Sequence, residues 1–201
     1  YLTTIYYKKR NNIELRSRDG FIIVTAGWIM MSIYSSLPFY FSVSELSFTN
    51  SFFESISGLT TTGASILGSD IGNTPQIEDL TKGLLFWRSF THFIGGMGII
   101  VFSIAVLPLL GVGGVQLFRA EVAGPVAEKI TPRVKQTAKL LWGIYVGFVL
   151  LETLILKFEG MTWHESLCHS FGTMATGGFS TRNESIAAFN SPLIESTIIF
   201  F

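Results

Sequence analysis

Three stretches of the chain stay apolar for long enough to cross a bilayer, which takes roughly 20 helical residues. Phe21–Phe41 carries no charge and is broken only by Pro38 near its end. Leu84–Leu110 places Arg88 and His92 near its start and then runs apolar from Phe93 to Leu107. Ala138–Phe158 holds Glu152 as its interior charge. A further apolar pattern starts at Pro192 and continues through Ile198, Ile199, Phe200 and Phe201, as a fourth span would. Tyr1–Tyr7 reads as the tail of an earlier helix. The expectation is an all-α membrane protein, seen here as an internal piece of a longer one.

Charge placement orients these spans, because cytoplasmic loops are rich in Lys and Arg. Lys8, Lys9, Arg10, Arg16 and Arg18 precede the first span, and Arg119, Lys129, Arg133, Lys135 and Lys139 separate the second from the third. Those are ten of the fourteen basic residues. The segment 42–83 sets Lys82 against Glu45, Glu54, Asp70, Glu78 and Asp79, and the segment after the third span sets Arg182 against Glu159, Glu165, Glu184 and Glu195. Both acidic segments are therefore expected outside, with basic segments 8–18 and 111–139 in the cytoplasm. Composition agrees, since 48% hydrophobic against 14% charged residues is too apolar for an ordinary soluble domain. A net charge of zero leaves no excess that would attract nucleic acid. One cysteine, Cys168, cannot close an internal disulfide.

The two external segments share a pattern. Ser47–Ile56 reads as a short helix giving way to Ser57-Gly-Leu-Thr-Thr-Thr-Gly-Ala-Ser65, and Thr162–Phe171 does the same before Gly172-Thr-Met-Ala-Thr-Gly-Gly-Phe-Ser180. Ser51 pairs with Ser166, Ser55 with Ser170, Thr61 with Thr176, Gly63 with Gly178 and Ser65 with Ser180, all at an offset of 115 residues. This is an internal repeat of helix, external re-entrant loop and helix. Irregular backbone at membrane depth is tolerated only where it is buried in protein or lines a watery path. There its carbonyls can replace the water shell of a cation, with Gly supplying the unusual dihedrals. The negative end of the short helix favours a cation at the same point. Hydroxyls and carbonyls without carboxylates suit K+ or Na+ better than a divalent ion. Ordinary Gly-rich surface turns remain the competing reading.

Ser57-Gly-Leu-Thr-Thr-Thr-Gly-Ala, Gly95-Gly-Met-Gly-Ile-Ile-Val, the stretch Leu107-Pro-Leu-Leu-Gly-Val-Gly-Gly-Val-Gln-Leu-Phe-Arg-Ala-Glu-Val-Ala-Gly-Pro125 and Gly177-Gly-Phe-Ser-Thr181 together resemble the TrkH-type subunit of the Trk/Ktr/HKT potassium transporters. The resemblance covers essentially the whole chain. It implies helix, pore-helix, filter-loop, helix units around a central pore, two of an expected four being present. Residues 1–7 would end a preceding helix, 8–20 form a basic loop, 21–110 the first unit, 111–137 a cytoplasmic loop and 138–201 the second unit. It implies a selectivity filter at Thr60, Thr61, Thr62, Gly63 and Ala64 and at Ala175, Thr176, Gly177, Gly178 and Phe179, with K+ held at Thr61, Thr62, Gly63, Thr176, Gly177 and Gly178. The second strand departs from the first, with Ala175 for Thr60 and Gly177 for Thr62. The resemblance further implies a bacterial inner-membrane homodimer, a cytosolic TrkA-type nucleotide-binding ring as partner, K+ as the transported ion and no covalently bound cofactor. A sodium-selective or Na+-coupled relative is the alternative. An intramembrane hydrolase is more remote, as it needs a nucleophile or metal pair at membrane depth.

Arg88 and His92 share one helix face, and Arg88 could either pair with Glu54 to support the filter or snorkel to the interface. Glu152 is expected to make a structural hydrogen bond. His164, Glu165 and His169 suggest the His-Glu-x-x-His helix of zinc proteases, but the spacing is one residue too long and turns the imidazoles roughly 140° apart. Gly95, Gly96 and Gly98 are expected to let helices pack closely.

Overall fold

The uncharged run from Phe21 forms α1, Ser17–Ser42, in the computed structural model, which describes residues 17–68, 74–106 and 130–201, with side chains for 21–68, 74–98 and 136–201. The loop 111–129 and its basic residues lie outside the described residues, as do Tyr1–Tyr7 and the basic cluster 8–16. Pro38 sits in the last turns of α1, where the missing N–H interrupts the ladder near its end. The short helix α2, Phe48–Leu59, follows. Next come a 3-10 turn at Ile77–Asp79 and the long α3, Lys82–Val106. The second half repeats the order with α4, Ile130–Phe158, the short α5, Trp163–Met174, a 3-10 turn at Ser185–Phe189, and α6, Pro192–Phe200.

The described residues contain no strand. In lipid that is the expected outcome, since a helix satisfies its backbone groups within one segment. Phe21–Ser42 and Gln136–Phe158 are long and apolar enough to cross a membrane, and most of each stretch is exposed, unlike the core helix of a water-soluble domain.

Residues 1–31 and 32–201 form two units. In the first, the described part of α1 exposes Phe21, Ile22, Ile23, Ile29, Met30 and Met31. In the second, the end of α1 contributes Phe39 and Val43 to a core with Leu46, Leu67, Ile77, Leu80, Leu84 and Leu85. Trp87 of α3 ties in by donating its indole N–H to Ser35 O at 3.0 Å.

A second core joins α3, α4 and α5 through Met97, Tyr145, Val149 and Phe171. Phe86, Phe90 and Phe93 recur at helical spacing on α3 and all meet the ring of Phe171, with centroids 5.9, 5.9 and 4.8 Å away. Such offset aromatic contacts add about 0.5–1.5 kcal/mol each beyond area burial. A third core, Leu156, Met161 and Ile194, seats α6 on the end of α4. The short helices α2 and α5 are thereby held on α3, with α5 also against α4.

Candidate functional site

Both short helices start at a capping hydroxyl. Ser47 accepts from Asn50 N at 3.2 Å. Thr162 forms a reciprocal capping box with Glu165. Each then buries a face that is small and polar: Ser51, Glu54, Ser55, Ser57 and Gly58 on α2, and Glu165, Ser166, His169, Ser170 and Gly172 on α5. Such a face needs local partners. Ser51 donates to Ser47 O and Ser166 to Thr162 O, at 3.0 and 2.9 Å, whereas Ser55 reaches across to Ser32 O on α1 at 3.0 Å.

The helices end identically. Thr60, Thr61 and Thr62 donate their N–H groups to Ile56, Gly58 and Ser57 O, while Ala175, Thr176 and Gly177 donate to Phe171, Thr173 and Gly172 O. Every donor and acceptor is displaced by the same 115 residues. The dihedrals match too, with φ of 54° at Thr61 and 53° at Thr176, then 72° at Gly63 and 89° at Gly178. A β-branched residue held in the left-handed region costs about 1–3 kcal/mol, and such strain gathers at functional positions.

In an ordinary strand successive groups point to opposite sides. Left-handed residues at alternate positions break that alternation. Among the described residues nothing donates a hydrogen bond to the carbonyls of Thr61, Thr62, Gly63, Thr176, Gly177 or Gly178. The flanks are tied down: Ser57 Oγ donates to Ala64 O at 2.6 Å, and Thr176 Oγ1 to Ala175 O at 2.7 Å. The two turns approach each other so closely that a Cβ on Gly63 would meet Gly177 O. The threonine hydroxyls turn to their own segment, Thr60 Oγ1 bonding Ile56 O at 2.7 Å and lying 2.8 Å from Thr62 Oγ1.

Arg88 does not snorkel. It is buried, and its Nε donates to Glu54 Oε1 at 2.7 Å. The same carboxylate accepts from Ser65 Oγ at 2.8 Å and Ile66 N at 3.2 Å, just past the first turn. Arg88 Nη1 donates to Ser180 O at 2.8 Å, just past the second turn, and the guanidinium lies 3.7 Å from the centroid of the Phe179 ring. Arg88 thus holds the exit of the second turn directly and that of the first through Glu54. His169 stands 115 residues after Glu54 and behaves in parallel, with Nε2 3.4 Å from Ser180 Oγ and from Thr181 Oγ1.

His92 is fully buried and stacked on Phe179 at 4.1 Å. Glu152 is fully buried on α4 beside Thr173 of α5, whose hydroxyl donates to His169 O at 3.0 Å. His164 and His169 part company, as the helical rotation requires: His164 Nε2 lies 2.8 Å from Lys82 O, far from the partners of His169. Gly95 faces Leu59 O at the end of α2, and a Cβ on Gly96 would sit 2.7 Å from the Tyr145 hydroxyl, so both allow close packing.

Asn183 belongs to no motif or periodic pattern. It bridges the loop before α3 and the loop after α5, accepting from Ile77 N at 3.0 Å and donating to Gln76 Oε1 at 2.6 Å and, through its backbone, to Glu78 Oε1 at 2.7 Å. Beside it Arg182 pairs with Glu165 at 2.6 Å. Burial pushes the Glu165 carboxyl up, but hydrogen bonds from Thr162 and Arg182 outweigh it and hold the group below its ordinary value. A cavity of about 240 Å³ lies against the second turn, lined by His169, Thr173, Thr176, Gly178 and Ile198 among others.

Comparison with known proteins identifies relatives of the chain. The family model TrkH, described as a cation transport protein, matches residues 3–201. The chain is 47% identical over 195 residues to the Trk system potassium uptake protein TrkH of Salmonella typhimurium, covering 96% of this chain and 39% of that one. It is 48% identical over 190 residues to the TrkH of Escherichia coli K12, covering 94% and 38%. The crystal structure of the potassium transporter TrkH from Vibrio parahaemolyticus superposes with a TM-score of 0.77 at 40% identity, over 96% of this chain and 36% of that one. The chain therefore spans less than two-fifths of the length of these relatives.

Proposed function

Since the chain belongs to the TrkH cation transport family, we propose that it forms part of the pore of a potassium uptake protein and that K+ passes between the carbonyls of its two turns. The observation that carries this reading is the pair of left-handed turns, matched bond for bond, with six carbonyls to which nothing among the described residues donates. A backbone carbonyl is an obligatory acceptor. Six of them in two facing turns suit a dehydrated monovalent cation.

The ligands on this reading are the carbonyls of Thr61, Thr62, Gly63, Thr176, Gly177 and Gly178, flanked by Thr60, Ala64, Ala175 and Phe179. Ala64 O is already engaged by Ser57, so it marks the outer limit of the first strand. α2 and α5 aim their negative C-terminal ends at these turns, which favours positive charge there. Glu54 and Arg88 act as filter support: the ion pair fixes Ser65 and Ile66 on one side and Ser180 on the other. No covalent step is involved. Potassium, not sodium, is the cargo, in keeping with the names of the relatives.

The reading extends to the whole protein as an inner-membrane homodimer with the acidic loops outside, the basic segments in the cytoplasm and a nucleotide-binding ring of the TrkA kind on the cytosolic face. The test is growth and flux. The full-length protein should restore growth of a K+-uptake-deficient strain at low external K+, and Gly63→Leu should abolish both growth and Rb+ uptake. Undiminished uptake in that variant would end the proposal.

A further inference from the structure

The two turns differ at one informative position: Thr62 in the first is Gly177 in the second. Backbone conformation does not demand that glycine. Gly63 and Gly178 have positive φ, where L residues are strained, but Gly177 does not. Space demands it instead. A Cβ on Gly177 would run into Nδ1 and Cε1 of His92, and its distance to His92 Cγ would be 2.7 Å. The equivalent side chain, Thr62, is exposed. Gly178 shows the converse, with open space around a would-be Cβ and a φ of 89°. The adjacent glycines are thus kept for separate reasons.

His92 is placed to hold that space. It is fully buried, and its ring stacks on Phe179 at 4.1 Å while its edge abuts Gly177. It therefore touches two of the five residues of the second strand from behind. Neither ring nitrogen has a hydrogen-bond partner among the described residues, so its contact with the strand is one of shape and stacking.

We propose that His92 is a positioning residue for ion selectivity: its ring fills the volume that a side chain at position 177 would need, and so sets where the carbonyls of Gly177 and Gly178 lie. This deepens the filter reading and rests on it. The two turns are then braced by unlike groups, Thr62 by a hydroxyl contact within its own segment and Gly177 by the imidazole of the other repeat.

The full-length protein carries the test, measured as Rb+ uptake with K+ and Na+ as competitors at matched membrane levels. G177T should lose uptake. H92A should retain uptake but discriminate less between K+ and Na+, a change that a purely structural role would not produce. The H92A/G177T pair should recover uptake over G177T by at least about tenfold, within the range of coupling seen between contacting residues. If H92A/G177T does not reach the membrane, G177S and H92A/G177S are judged by the same criterion. A double variant no better than its glycine single, or unchanged selectivity in H92A, overturns the inference. Unimpaired uptake in G177T also overturns it, and loss of uptake in G63A would then show that the filter reading itself survives.

Discussion

Replacing Arg88 by Met separates two roles that the Glu54–Arg88 pair combines. The side chains are 0% and 2% exposed, and the Nε–Oε1 distance is 2.7 Å. Removing the guanidinium leaves the Glu54 carboxylate buried and uncompensated, for which breaking a buried pair sets a cost of about 3–5 kcal/mol. Ser180 O also loses its donor, adding about 1–3 kcal/mol for an unsatisfied buried acceptor. R88M should therefore destabilise strongly. E54L/R88M removes both charges, and hydrophobic replacement of a whole buried pair is often neutral or better. The double variant should regain most of the lost thermal stability. It should not regain K+ flux, because Ser65, Ile66 and Ser180 remain untethered beside the two turns. Thermal unfolding of the full-length protein in detergent, paired with Rb+ uptake in proteoliposomes, reads the two quantities separately. Full flux in the stable double variant would refute the assignment of Glu54 and Arg88 as filter support. A loss below about 1 kcal/mol in R88M, the level of an exposed pair, would refute the burial argument.

Three further outcomes follow from the same geometry. Gly63→Ala forces a Cβ onto a residue at φ 72° and into Gly177 O, so Rb+ uptake should fall to background while membrane insertion, checked by protease protection, is kept. Ser57→Ala releases Ala64 O from its 2.6 Å hydrogen bond, which should cost about 1 kcal/mol and lower the K+/Na+ flux ratio; an unchanged ratio would mean that the tie is irrelevant to conduction. Glu165 is held below its ordinary carboxyl value by Thr162 and Arg182 against the upward push of burial. A depressed folded-state value gives stability that is complete above pH 4.5 and disappears as pH falls through the lower value. Glu165→Gln should therefore lower the melting temperature at pH 7 and flatten its decline below pH 4.5, and an acid limb as steep as that of the parent would contradict the pairing.

Much of this architecture was legible from local pattern. Long apolar runs marked α1 and α4, and the Ser47 and Thr162 hydroxyls marked where α2 and α5 begin. The fixed offset brought Thr61 into register with Thr176 and Gly63 with Gly178. The helix ends were less visible: α2 and α5 each continue about a turn past the apolar stretch, through Ser57 to Leu59 and through Gly172 to Met174, because packing against α3 overrides weak local propensity. No sequence rule places a threonine in the left-handed region. Only the demands of the turn do so at Thr61 and Thr176. Partners distant in sequence were hidden altogether. Arg88 on Ser180, His92 on Gly177 and Asn183 on Gln76 each join residues of different repeats, and neither periodicity nor spacing encodes such contacts.

The position of the ion can be observed directly. Crystals of the full-length protein grown with Rb+ in place of K+ locate it by anomalous scattering. Density is expected between the two turns, within coordination distance of the carbonyls of Thr61, Thr62, Gly63, Thr176, Gly177 and Gly178, and is expected to vanish when Na+ replaces Rb+. Density elsewhere along the pore with none at these six carbonyls would contradict the filter reading.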